Sequence, residues 1–318
     1  MTKISKSLMA FIACSLAINV FAAQERVTYK AAKSSSSYYQ MAVQVGENIS
    51  QATDKSVMLT IEESQGSVQN VKEAPKRTGN YIFTTPPGLI ALAQSGKAMF
   101  EKDDPKSYES IRALFPIPYL TMHVVVNANS NIKNFDDLKG KSLLIGKGSF
   151  GAKEAARYIE LFGLKGQTKL IDAELSGAVT ALKNGQIDGF ATSGSFPAPN
   201  VIEAAASMPI RILSMSDAQI ALTQQDKIII PSGTYAYVDY DVATTTLPVG
   251  LYTTTKMSDE VAYKITKAFW ESKAKLEKQN VWWKAISLEN LSMFNTKLHP
   301  GALKYYNEIH ANIPEKLK

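Results

Sequence analysis

An alternation of short apolar runs with amphipathic stretches most limits what this chain can become. Residues 57–61, 81–84, 124–126, 142–145, 169–171, 189–191 and 210–213 have strand length and strand composition. Between them lie helical patterns such as residues 152–161, where Ala155, Ala156 and Ile159 recur at helical spacing and Gly163 supplies a stop. This order predicts α/β organisation with parallel crossovers. In open sheets of that kind ligands bind beyond the carboxyl ends of the strands, so the residues just after each strand are the first candidates for a site.

Those residues are mostly hydroxylated or glycine. Ser34, Ser35, Ser36 and Ser37 precede a helix that opens with Tyr38 and Tyr39 and places Met41, Ala42, Val45 and Ile49 on one face. Ser64-Gln65-Gly66-Ser67 leads into a helix that Pro75 stops. Thr84-Thr85-Pro86-Pro87-Gly88, Gly146-Lys147-Gly148-Ser149-Phe150-Gly151 and Thr192-Ser193-Gly194-Ser195 follow three further strands. Any one of these hydroxyls is explained by capping a helix. Five such turns converging on one cleft would form a cradle of N–H groups, hydroxyls and positive helix ends suited to an anion.

The N-terminus reads as an export signal. Lys3 and Lys6 precede an apolar run over residues 8–21, too short to span a bilayer, and Val20 and Ala22 suit cleavage before Ala23. Phe11-Ile12-Ala13-Cys14 faintly resembles a lipobox, but Phe replaces the usual Leu and the apolar stretch before Cys14 is very short. Cleavage removes Cys14, the single cysteine, which suits an oxidising compartment. The expected location is therefore the periplasm. A formal charge of +6 over 318 residues is too mild to argue for nucleic acid.

Gly146, Gly148 and Gly151 satisfy the G-x-G-x-x-G spacing, follow a strand and open a helix, and Asp172 ends the next strand. That context matches a dinucleotide-binding fingerprint. The exported location and the mid-chain position weigh against a nucleotide-dependent enzyme, and the same loop serves a carboxylate equally well. Other catalytic signals are thin. His123 beside the strand at 124–126 reads as structural, His299 and His310 carry no metal-binding spacing, and no G-x-S-x-G elbow is present. Trp282-Trp283 and Tyr305-Tyr306 read as aromatic positions on C-terminal helices. No cofactor, metal or catalytic residue is assigned.

Several longer motifs together resemble a known family. They are Phe135-Asp136-Asp137-Leu138-Lys139-Gly140-Lys141, Gly146-Lys147-Gly148-Ser149, Ala181 to Phe190 (A-L-K-N-G-Q-I-D-G-F), Pro231-Ser232-Gly233-Thr234-Tyr235, and His299-Pro300-Gly301-Ala302 with Tyr305-Tyr306. The combination resembles the TAXI class of solute receptors of tripartite ATP-independent periplasmic (TRAP) transporters. The resemblance implies a type II periplasmic binding protein fold, two α/β lobes joined by a two-strand hinge with the ligand cleft between them. It implies a monomeric receptor that captures a small organic anion, such as glutamate or a related dicarboxylate or hydroxy acid, and delivers it to a membrane permease without catalysis. A sensor or scavenging protein would look the same alone. Carried over residue by residue, the serine turn with Ser36, Ser37 and Tyr38 matches the family's first ligand loop, Ser67 the second and Ser149 the third. Thr84, Thr85, Ser193 and Tyr235 take further lining positions. Lys147 either adds a full charge or points to solvent. The serine run replaces expected glycines, and Lys76-Arg77-Thr78-Gly79-Asn80 replaces an acidic stretch; both departures are expected to touch the pocket. The expected division is 1–22 as signal, 23–126 plus 248–318 as lobe I, and 127–247 as lobe II, with residues 247–252 as the second hinge strand. Helices are expected over 259–278 and 300–312.

Overall fold

Two long strands run through the whole molecule and carry everything else. The computed structural model describes residues 24–318, so the signal and lipobox readings fall outside the described residues. The first strand, β4 (Ile111–Asn127), is 17 residues long and almost wholly buried. The second, β10 (Val242–Thr254), pairs with it antiparallel. The ladder has two register shifts: one between Leu251 and Tyr252 skips Leu114, and a wider one between Leu247 and Val249 leaves Pro118 and Tyr119 opposite Pro248 without partners. Proline brings no N–H to a ladder, so the backbone bonds are sparsest where the strands pass from one half of the sheet to the other.

On one side of that interruption β1 (Glu25–Lys30) pairs in parallel with β2 (Val57–Glu62) and β3 (Tyr81–Thr85), and β3 joins residues 250–252 of β10. On the other, β5 (Ser142–Leu144) pairs in parallel with β6 (Lys169–Ile171) and β7 (Gly189–Gly194), and β7 joins β4 over residues 121–126. The full order is β2-β1-β3-β10-β4-β7-β5-β6; β8 (Ile210–Ile212) adds to β4 and β9 (Asp226–Ile230) to β10. Each half thus has the same plan: a central first strand, the second outside it, and the third between it and the crossing strands. The plan turns the carboxyl ends of β1 and β2 toward those of β5 and β6.

Helices cover this sheet for ordinary reasons. In α1 (Ser37–Ala52) the predicted face of Met41, Ala42, Val45 and Ile49 is buried, each large side chain worth about 1.5–3 kcal/mol. In α4 (Phe150–Leu161) Ala155 and Ile159 do the same. The single helix expected over 259–278 is two, α8 (Asp259–Glu271) and α9 (Lys273–Gln279): the Ser272 hydroxyl donates to the Ala268 carbonyl and ends the first. The final helix, α10 (Pro300–Glu308), stops four residues before 312. The strand expected at 124–126 is only the end of β4, and β9, with its Ile228-Ile229-Ile230 run before Pro231, is a strand outside those expected. Among the described residues no helix is long and apolar enough to cross a membrane.

The motifs that carried the resemblance mostly build this scaffold. The Asp137 carboxylate accepts the N–H groups of Lys133 and Asn134 at a capping box. The Asp188 carboxylate accepts the N–H and hydroxyl of Ser142. His299 caps α10 through Nδ1, which accepts the Gly301 N–H, so Nε2–H donates to the Met257 carbonyl. Gly301 lets α10 cross α8 closely: a Cβ there would lie 2.1 Å from the Asp259 carbonyl oxygen. Gly301→Ala is therefore expected to destabilise the protein by about 1–3 kcal/mol in urea unfolding; an unchanged midpoint would show that α8 and α10 separate freely.

Candidate functional site

The loops after β1, β2, β5 and β6 meet the end of β7 around one cleft, with about 640 Å3 of free space including its mouth. Three helices begin at its wall: α1, α2 (Ser67–Glu73) and α4. The first N–H groups of a helix have no partner inside it, and the aligned peptide dipoles make that end positive. The lining carries one cation, Lys33, and, among the described residues, no carboxylate. Leu120, Phe150 and Leu175 supply apolar surface. The cleft can therefore hold a small molecule with an anionic end and an apolar or weakly polar body.

Five of the nine residues proposed from the sequence line this cleft: Ser36, Tyr38, Ser67, Ser149 and Ser193. Their hydroxyls are not equivalent. Ser36 Oγ accepts the Tyr39 N–H at 3.2 Å and donates to the Lys33 carbonyl at 2.7 Å. Ser149 Oγ accepts the Ala152 N–H at 2.9 Å, capping α4. Tyr38 donates to the Pro118 carbonyl, and burial raises its pKa well above the ordinary value. Ser67 and Ser193, like Ser35 beside them, make no side-chain hydrogen bond within the described protein and keep both donor and acceptor for a guest. Ser193 also explains a glycine, because a Cβ at Gly151 would sit 2.1 Å from its Oγ.

The other four lie elsewhere. Ser37 is buried outside the lining, its Oγ accepting the Ser195 N–H at 3.1 Å. Thr84 Oγ1 bonds the Tyr29 hydroxyl at 3.0 Å, and Thr85 is fully buried with its hydroxyl turned to the Pro86 carbonyl. Both end β3, whose side chains are all inside. Tyr235 stands behind the cleft, accepting the Ala198 N–H at 2.7 Å and bonding His123 Nε2 at 2.9 Å. It therefore anchors the start of α6 (Pro199–Ser207), whose Asn200 does line the cleft and donates to Thr192 Oγ1. Lys147 is exposed and absent from the lining. The stretch around Arg77 also stays away: Arg77 binds Glu62 and Glu73, which Lys30 joins, on the flank of β2.

Lys33, Gln65 and Asn200 are lining residues the sequence reading did not single out. Lys33 and Gln65 follow strands, which was a usable signal; Asn200 had none. The glycine fingerprint resolves into a tight turn, with Gly146 at φ +83° and Gly148 at φ +67°. Asp172 is exposed and outside the lining, so the ribose-binding half of the fingerprint is not formed around this cleft.

His123 is neutral by construction. Its Nδ1–H donates to the Thr121 carbonyl, so Nε2 accepts the Tyr235 hydroxyl, and burial lowers its pKa to about 4.

The fold is the two-lobed fold of periplasmic binding proteins. The structure of the periplasmic binding protein BugD is similar over 91% of this chain and 99% of that one, with 11% identity and a TM-score of 0.57. A structure described as a periplasmic transporter matches over 78% and 83%, with 12% identity and a TM-score of 0.54. The chain belongs to the NMT1-like family, whose pattern it matches over residues 30–309.

Two outcomes follow from this geometry. Ser149→Ala should cost about 1 kcal/mol of stability through the lost cap, while Ser67→Ala should stay within about 0.5 kcal/mol; equal losses in urea unfolding would contradict the division of roles. For His123, the folded-state pKa lies below the unfolded one, so its contribution is complete above about pH 6.5 and is lost as pH falls through about 4, by about 3 kcal/mol. His123→Gln should flatten the fall in unfolding free energy between pH 6.5 and 5, with His299, also lowered by burial, supplying what slope remains. An unaltered slope would show that His123 gains a proton without cost.

Proposed function

We propose that the protein is a periplasmic solute receptor that captures a small organic anion and presents it to a TRAP-type membrane permease. One observation carries the ligand class: the positive ends of α1, α2 and α4, from both halves of the sheet, converge on a cleft whose lining holds Lys33, paired with Glu174 at the rim, and, among the described residues, no carboxylate. The ligand's acidic group sits among the N–H groups of Ser67, Phe150 and Gly151 and the hydroxyls of Ser67 and Ser193, while Tyr38, Leu120 and Phe150 contact its body. Among the described residues no arginine lines the cleft, which favours a ligand held by several neutral donors over one gripped by a bidentate pair. The resemblance of the long motifs to TAXI receptors supports the TRAP partnership, and the family and fold support a binding role rather than a catalytic one.

For the lobes we place the pivots at Pro118-Tyr119 and Pro248, where the ladder between β4 and β10 lapses. Residues 24–117 with 249–318 then turn as one lobe against residues 120–247. Closing the cleft without an anion would bury unmatched donors, so the ligand stabilises the closed form.

The test is a thermal-shift screen of ligand-stripped protein against glutamate, other dicarboxylates, hydroxy acids, phosphonates and NADH, followed by calorimetry. A ligand at 100 times its Kd adds about 2.7 kcal/mol and should raise the midpoint by several degrees. A carboxylate should do so, and Ser67→Ala and Ser193→Ala should each weaken it about tenfold, near 1.4 kcal/mol. A response to NADH alone, or unchanged affinity in both variants, would overturn the reading.

A further inference from the structure

The rim of the cleft farthest from the crossing strands is joined by one side chain. Glu174, in the loop after β6, places Oε2 3.5 Å from Lys33 Nζ and accepts from Gln65 Nε2 on Oε1 at 3.2 Å. Lys33 follows β1 and Gln65 follows β2, so both partners belong to the opposite half of the sheet from Glu174. β2 and β6 are the outermost strands of the order, which puts this contact at the long end of any lever turning about Pro118 and Pro248. The backbones also come close there: a Cβ on Gly66 would meet Ser149 at 3.8 Å, and one on Gly148 would meet Gln65 at 3.7 Å. Beside the crossing strands, the Ser195 N–H donates to Ser37 Oγ across the halves, and Tyr38 donates to the carbonyl of the pivot residue Pro118.

We infer that Glu174 is a clasp that holds the two halves together at the mouth of the cleft, by engaging Lys33 and Gln65 at once, independently of any ligand. Both partners line the cleft, so the clasp also fixes where its one lining cation sits. The pair is partly exposed, with about two-fifths of each side chain accessible, so its effect is small in absolute terms. An increment of that size still shifts the ratio of open to closed molecules about two- to fivefold, whatever its starting value.

Double electron–electron resonance between spin labels on cysteines introduced at Glu101 and Lys183, exposed positions on opposite halves, reads that ratio directly in the full chain without ligand, in a Cys14→Ser background. Glu174→Lys, which sets two ammonium groups against each other, should move population to longer distances. The double variant Lys33→Glu with Glu174→Lys restores opposite charges, and Gln65 can turn its amide oxygen to the new lysine, so the parent distribution should return. Distributions identical in parent and Glu174→Lys would overturn the clasp. So would a double variant that stays open, because the effect would then not pass through Lys33. Unchanged far-UV circular dichroism excludes unfolding as the cause. No ligand enters the measurement, so its failure leaves the receptor reading to calorimetry alone.

Discussion

Everything in this molecule hangs on the crossing of β4 and β10 between two half-sheets. The strands are long and buried, so the same pair joins both halves, yet Pro118 and Pro248 bring no donors to the stretch where their ladder lapses. A bend there breaks few backbone bonds, whereas a bend elsewhere would break several. Because each half repeats the same strand plan, the loops that follow the first two strands of one face those of the other. The cleft is a product of this repetition, lined by the small polar residues of the turns and by the larger Tyr38, Leu120, Phe150 and Leu175.

The electrostatics follow from the same arrangement. Helices that start at the carboxyl ends of parallel strands turn their positive ends toward the gap, and two facing sets of such ends repel each other weakly. Lys33 adds to this field and Glu174 relieves part of it from the side. A serine at such a position has two uses, capping its own helix or meeting a guest, and the hydrogen bonds separate them: Ser36 and Ser149 cap, while Ser67 and Ser193 keep their hydroxyls free. The structural histidines show the complementary strategy: burial keeps them neutral, and a carbonyl that accepts from one ring nitrogen fixes the tautomer.

Much of the architecture was legible because it rests on local patterns. The face of α1, the parallel strands at 57, 81, 142, 169 and 189, and the loops that follow them were all visible in periodicity and punctuation. The length of β4 was not, because Pro116 and Pro118 interrupt the strand composition that would have joined residues 111–117 to 124–126. The break at Ser272 was hidden too, since a serine inside an amphipathic pattern reads as an exposed helical residue. At the site, position after a strand identified the right loops but not the right atoms. Thr84 and Thr85 end a strand buried on every side, and Tyr235 is drawn inward by His123, facts set by tertiary packing. The most recognisable motifs proved to specify turns, caps and helix crossings, so they speak for the fold more than for the ligand.

The way the chain threads the two halves has a consequence for biosynthesis. Residues 120–247 are contiguous and own a compact apolar cluster running from Val125 to Val242, so that portion can assemble as soon as it emerges. The other half cannot: β3 must wait for residues 250–252, and α1 for the helices α8 and α9 that lie against it. Through most of synthesis the N-terminal strands therefore persist with an unpaired edge and an uncovered apolar face, the condition in which chains associate wrongly. Threaded this way, the first half completes its sheet and covers α1 only once residues 249–318 are in place.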